Sequence, residues 1–213
     1  MDVLIVSGGT EPSKELLLEY KNKVSFIIGV DKGCNVLYKY NMTPNLIVGD
    51  FDSGDLKVVE YFKNTGIEVR KYSTHKDYTD THLAYNIAKE LGDVKKIYLL
   101  GATGTRFDHS LGNLGLFLNS LEDEIYLEIV DDNNIMFIVD KKTTIKNRKN
   151  KVLSFHGLSD EVKNFTIKNA KYELERYNLK LLEPRAICNE FLDGEDVQID
   201  FDSGKILVML TND

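Results

Sequence analysis

With 213 residues, 42% of them hydrophobic and 29% charged, the chain has material for one large domain or two modest ones, which excludes disorder as its default state. A formal charge of −7, from 27 basic and 34 acidic residues, argues against a nucleic-acid surface and is compatible with a cationic substrate or a bound metal. Only Cys34 and Cys188 are present, without a Cys-x-x-Cys pair, so neither a disulfide framework nor a structural zinc site is indicated. No apolar run approaches the roughly 20 residues of a membrane span. The amino terminus, with Asp2 where a signal peptide is basic, reads as a strand. The cytoplasm is the expected compartment.

Strand and helix patterns alternate through the first two-thirds. Residues 3–6 form an apolar run ended by Ser7-Gly8-Gly9-Thr10, and Pro12 and Ser13 then open a helix carrying Leu16, Leu17 and Tyr20. A strand over 24–30 ends at Asp31-Lys32-Gly33-Cys34-Asn35, followed by a short helix with Val36, Leu37 and Tyr40. Residues 46–48 are a third strand and 67–70 a weaker fourth, with helical spacing over 56–62 between them. From Thr79, Leu83, Ala84, Ile87, Ala88 and Leu91 mark one helix face. A fifth strand spans 97–100, and Leu111, Leu114, Leu118 and Leu121 face one side of the helix after it. This alternation predicts an α/β fold: a mostly parallel, Rossmann-like sheet flanked by helices.

Past residue 125 the helices stop. Runs at 125–130, 135–139, 151–155, 165–168, 172–177, 186–188, 197–201 and 206–210 read as strands, so a small all-β sandwich or barrel domain is expected to follow. The boundary is placed at the basic, polar stretch 141–151, giving domains 1–140 and 141–213.

The chemistry candidates sit where predicted strands end. Gly49-Asp50-Phe51-Asp52-Ser53 puts two carboxylates two residues apart; in extended backbone both would face one point, with Phe51 turned into packing. Like charges held close call for a cation, and Mg²⁺ accepts a few carboxylate oxygens while keeping sites for phosphates. Phe201-Asp202-Ser203-Gly204 repeats part of this motif, but between two β-like runs, where it reads as a hairpin turn. Asp31, the Asp77-Tyr78-Thr79-Asp80 segment and Gly101-Ala102-Thr103-Gly104-Thr105-Arg106-Phe107-Asp108-His109 end other strands. Alone, Asp77, Thr79, Asp80 or Asp108 would read as helix caps. In a parallel sheet, however, strand ends converge on one crevice. Glycines before a helix cradle phosphates, Arg106 adds a planar cation, and an acidic cluster beside them implies a divalent ion. His75, His82 and His156 show no metal-ligand spacing; His109, next to Asp108, is a candidate to line the site.

These residues resemble the thiamine pyrophosphokinase family. Its pattern of Gly-Asp-Phe-Asp-Ser, Lys-Asp-x-Thr-Asp and Gly-x-x-Gly-x-Arg-x-Asp-His is matched in order at 49–53, 76–80 and 101–109. Asp31-Lys32-Gly33, Asp131-Asp132-Asn133-Asn134 and Ile187-Cys188-Asn189-Glu190 are similar to further family segments, with Cys188 where the family usually has Ser. The resemblance implies an ATP- and Mg²⁺-binding α/β catalytic domain, a thiamine-binding β domain and a homodimer with thiamine between subunits. It implies transfer of the β,γ-pyrophosphoryl group of ATP to thiamine. On that reading Asp50, Asp52 and Asp80 carry the metal, with Asp31 in support, and Arg106 with the Gly101–Gly104 loop holds phosphates. Gly33, Asn35, Thr79, Thr103, Asp108 and His109 complete the nucleotide side. Asp77 or Asp80 accepts the alcohol proton. Cys188 and Asn189 are expected to face thiamine, since an amide suits the mixed edge of an aminopyrimidine.

Rival readings are a pyrophosphokinase for another alcohol such as a pterin, a phosphohydrolase with Asp50 as nucleophile, and a non-catalytic nucleotide or thiamine sensor. Their products separate them: AMP, inorganic phosphate, and none.

Overall fold

The structure is a computed structural model that describes residues 1–51, 55–73, 77–148 and 150–212. It divides into two compact units, Met1–Asp132 and Asn133–Asp213.

The first unit alternates strands and helices in the order β1 (Asp2–Val6), α1 (Lys14–Lys21), β2 (Phe26–Val30), α2 (Gly33–Lys39), β3 (Leu46–Gly49), α3 (Leu56–Asn64), β4 (Glu68–Lys71), α4 (Asp80–Glu90), β5 (Lys96–Leu100), α5 (Phe107–Glu122) and β6 (Tyr126–Val130). Its strands lie in the order β6-β5-β1-β2-β3-β4, all parallel. A parallel strand covered on both faces must be apolar throughout, and Val3, Leu4, Ile5 and Val6 of the central β1 are all fully buried. The chain runs outward from β1 to β4, then α4 carries it back to β5 on the other side of β1. Small Ala84 and Ala88 let α4 pack closely on that return. Ligands of open α/β sheets bind where the strand order reverses, here beside β1 and β5.

Helix α5 is where the expected face differs. Its buried residues are Asn113, Leu116, Phe117 and Ser120, whereas Leu111 and Leu118 are exposed. Both sides of this helix are apolar in sequence, so periodicity offers little contrast. The Asn113 side chain, bonded to the carbonyl of Ala102 at 2.7 Å, belongs to the inward side. No described helix is long and apolar enough to cross a membrane.

The second unit adds β7 (Asn134–Val139), β8 (Thr143–Ile145), β9 (Val152–Gly157), β10 (Glu161–Lys168), β11 (Leu174–Lys180), β12 (Ala186–Glu190), β13 (Val197–Asp200) and β14 (Ile206–Thr211). Within it the antiparallel arrays β12-β9-β14-β7 and β11-β10-β13-β8 form a sandwich. Phe155 of β9 and Phe165 of β10 meet edge to face across it, with ring centroids 5.5 Å apart.

The division at Asp132 falls before the sequence-based boundary, because β7 pairs with β14 from Asn134↔Thr211 to Val139↔Ile206. The polar stretch expected to mark that boundary contains β8, whose Ile145 is buried. Residues 201–204 are not a hairpin turn either. They carry the chain from β13 in one array to β14 in the other, with Ser203 bridging Lys163.

Candidate active site

Two loops at the carboxyl ends of β1 and β5 form one wall of the site. The N–H groups of Ser7, Gly9 and Thr10 donate to the carbonyls of Leu100 (2.8 Å), Gly101 (2.7 Å) and Thr103 (2.7 Å). The approach requires glycine. A Cβ on Gly9 would lie 2.2 Å from the Thr103 oxygen, and one on Gly101, whose φ is +66°, would lie 2.2 Å from the Ser7 oxygen. The Asn113 bond to Ala102 and a 2.8 Å bond from Thr103 Oγ1 to Asp131 Oδ2 brace the second loop.

The amino terminus of α4 closes another side. Thr79 caps it, its hydroxyl accepting from the His82 N–H at 3.2 Å. Ser7 and Thr81 hydroxyls meet at 3.0 Å, which ties this helix end to β1. Asp80, the first helical residue, is thereby brought to the ends of β2 and β3.

There Asp31, Asp50 and Asp80 converge, each offering an oxygen within 4.8 Å of the others. Asp31 adopts a left-handed conformation, φ 46°, and its N–H donates to the Val48 carbonyl at 3.0 Å. Asp31 Oδ1 is buried and meets no hydrogen-bond donor among the described residues. Only glycine at position 49 leaves it room, since a Cβ there would stand 1.9 Å away. Burial, then the charges of Asp80 and Asp50, push the Asp31 carboxyl up to about 7. An orphaned buried oxygen among three carboxylates suits a hard divalent cation, so the residues present fit the expected metal.

The extended backbone expected around Phe51 is not seen there: Phe51 is buried as anticipated, but in a left-handed conformation, φ 57°. Asp50 therefore meets Asp31 and Asp80 through strand-end geometry and not through alternation. Asp52, His75 and Lys76 lie outside the described residues.

The cleft so formed has a volume of about 710 Å³. Of the candidate residues, Asp31, Asp50, Thr79, Asp80, Gly101, Thr103, Gly104, Arg106 and His109 line it. Gly33, Asn35, Asp77 and Asp108 are not part of the lining. Gly33 is buried beneath it, where a Cβ would strike the Val6 carbonyl at 2.0 Å. Asp77 is exposed. Asp108 points to Arg106, making bonds of 2.7 Å to Nη2 and 3.3 Å to Nε on an exposed surface, and that guanidinium holds its carboxyl below the usual range. Sequence reasoning missed Ser7 to Thr10, Lys32, Thr81 and Asn113 as lining residues. The glycine pair after β1 was the available signal for the first of these; nothing marked Asn113.

Family models match both units. One described as "Thiamin pyrophosphokinase, catalytic domain" covers residues 17–129, and one described as "Thiamin pyrophosphokinase, vitamin B1 binding domain" covers residues 142–206. The chain belongs to the thiamin pyrophosphokinase family. A Bacillus subtilis relative named thiamine pyrophosphokinase is 28% identical over 212 residues, 98% of each chain. The solved thiamine pyrophosphokinase of Bacillus subtilis is 27% identical and superposes over 100% of both chains with a TM-score of 0.90. That of Geobacillus thermodenitrificans is 28% identical, with a TM-score of 0.87 over 100% of this chain and 98% of the other.

In the segment matched by the second thiamin pyrophosphokinase model, Tyr172, Arg185, Cys188 and Asn189 help line a cavity of about 340 Å³. Cys188 is exposed, in a left-handed conformation at an irregularity between β12 and β9, and its N–H donates to Ser154 Oγ at 3.0 Å. Asn189 is buried and its amide is already engaged: it donates to the Tyr172 carbonyl at 2.7 Å and accepts from the Tyr172 N–H at 3.0 Å. That amide shapes the cavity wall through Tyr172. Cys34, by contrast, is fully buried, and burial followed by the Asp31 charge pushes its thiol far up.

Proposed function

We infer that this chain is a thiamine pyrophosphokinase, transferring the pyrophosphoryl group of ATP to thiamine with release of AMP. The observation that carries the reading is the convergence of Asp31, Asp50 and Asp80 beside the glycine loop and Arg106, in a chain that matches the family over both units.

The thiamine hydroxyl oxygen forms a bond to the β-phosphorus while the bond from that phosphorus to the α-bridging oxygen breaks. The electron pair leaves on AMP and the hydroxyl proton passes to a base. Such chemistry depends mainly on positioning and on neutralising phosphate charge. Asp31, Asp50 and Asp80 would hold Mg²⁺, with Asp52 of the same motif; bound there, the ion supplies positive charge against the triphosphate. Arg106 and the Gly101–Gly104 loop hold phosphate oxygens on the β5 side. Asp80, in the carboxylate cluster, takes the hydroxyl proton in preference to Asp77, which is exposed and outside the cleft lining. The acidic surroundings also favour the cationic thiazolium. We assign thiamine recognition to the cavity beside Cys188, and the assembly to a homodimer, on the family resemblance.

Incubation with ATP, Mg²⁺ and thiamine, following AMP and thiamine diphosphate together, tests the reading. Equal formation of both is expected. Release of inorganic phosphate without thiamine diphosphate would overturn it, and light scattering at the mass of a single chain would remove the dimer.

A further inference from the structure

We propose that Lys32 is a second cationic anchor for the triphosphate, gripping it from the β2 side of the cleft as Arg106 does from the β5 side. The proposal rests on the ATP-dependent reading above and adds a positioning residue to it.

Lys32 lines the cleft and is exposed to it. Although three carboxylates converge nearby, no carboxylate among the described residues lies within 4.0 Å of its ammonium. Lys39, at the far end of α2, is held by Glu11 at 2.7 Å, and Arg106 by Asp108 at 2.7 Å in an exposed pair that a phosphate can replace. The Lys32 charge is therefore available to an incoming polyanion, without an ion pair to break first.

The local backbone is arranged to hold this side chain's root still. The Asp31 N–H is bonded to Val48, the Asp31 carbonyl accepts from Cys34 at 3.0 Å, and the Lys32 carbonyl accepts from Asn35 at 3.0 Å. Facing it, Gly8 leaves room for the stem. A Cβ at position 8 would come within 3.0 Å of Lys32 Cβ and 3.3 Å of the Lys32 main-chain nitrogen, tighter than ordinary contact. Lys32 follows β2 and Arg106 follows β5, the two strands that flank β1, so the two cations reach the cleft from opposite neighbours of the central strand. A lysine on this side, a compact charge on a flexible stem, can follow phosphate oxygens as they move, where a planar guanidinium is tied to one geometry.

Titration calorimetry with ATP and with adenosine, in Mg²⁺, on the full wild-type chain, Lys32→Met and Lys32→Arg decides the matter. Lys32→Met is expected to weaken ATP about 10- to 100-fold, leaving adenosine affinity, the KM for thiamine and the melting temperature unchanged. Lys32→Arg, which restores the charge, should recover most of the ATP affinity. Equal ATP affinity in wild type and Lys32→Met would overturn the role of Lys32 alone. Equal weakening of ATP and adenosine would overturn it too, by showing a loss of structure and not of a phosphate contact. A wild-type chain that bound no ATP would overturn the ATP reading and the anchor together.

Discussion

The N–H of Gly9 donates to the carbonyl of Gly101 across 2.7 Å, joining the turn after β1 to the turn after β5. Both obstacles to a side chain at position 9 are main-chain oxygens, at 2.2 and 2.5 Å from a built Cβ, and neither moves without deforming the cleft wall. Gly9→Ala should lower stability by about 1–3 kcal/mol and reduce AMP formation. Gly112→Ala, on α5 where nothing lies within 4 Å, should stabilise by about 0.5–1 kcal/mol with turnover kept. Denaturant titrations of the two variants check the contrast; similar midpoints would contradict it.

Asp31 makes the ion-free protein sensitive to pH. Its folded pKa, about 7, lies above its ordinary 3.8, so the native state binds the proton more tightly. That contribution is complete below about pH 4 and disappears as pH rises through about 7. With chelator present, the melting temperature should fall between these limits more steeply in wild type than in Asp31→Asn. The same slope in both proteins would show that Asp31 does not carry it.

Asp80→Asn separates stability from activity. It removes one of the charges that crowd Asp31, so the ion-free protein should melt higher at pH 8. Loss of a carboxylate from the cluster should nonetheless lower turnover by about 100-fold or more. Thermal melts with chelator and AMP assays with Mg²⁺ give the two readouts, and a drop in both would point to simple misfolding.

In the second unit the neighbours Cys188 and Asn189 should behave oppositely. Asn189→Ala leaves the Tyr172 N–H and carbonyl without their side-chain partners, an expected loss of about 1–3 kcal/mol. Cys188→Ser, at an exposed position, should change stability by no more than about 0.5 kcal/mol. Calorimetric thiamine titrations should show weaker binding for Asn189→Ala, through the displaced Tyr172, and unchanged or improved binding for Cys188→Ser. A thiamine affinity insensitive to both substitutions would exclude this cavity as the substrate site.

How much of this was legible in sequence follows from what each residue signals locally. Val3 to Val6, short, rich in β-branched residues and ended by glycines, reads as a strand buried on both faces, and Asp31, Asp50 and Asp80 each close or follow a recognisable element, so their convergence was readable from topology. Phe51 was read correctly as buried but not as left-handed, because burial follows from side-chain chemistry whereas its φ is imposed by the surrounding turn. The inward face of α5 was hidden because leucines occupy both sides and a polar residue, Asn113, faces inward. β8 was hidden in lysines, since only one of its three residues is buried. The Asp-Ser-Gly at 202–204 signals a bend, and a bend can lead to the next strand of the same array or, as here, to the other array.

The contrast between Cys34 and Cys188 gives the experimenter a handle that requires no mutagenesis. A maleimide dye at neutral pH should attach at one position per chain, because Cys34 is sealed in the core with a thiol that resists ionisation. The label would sit at the rim of the cavity in the second unit, where its emission would report on occupancy. The same asymmetry sets how a preparation ages: stored without reductant, it would accumulate thiol oxidation at Cys188 while Cys34 stays reduced.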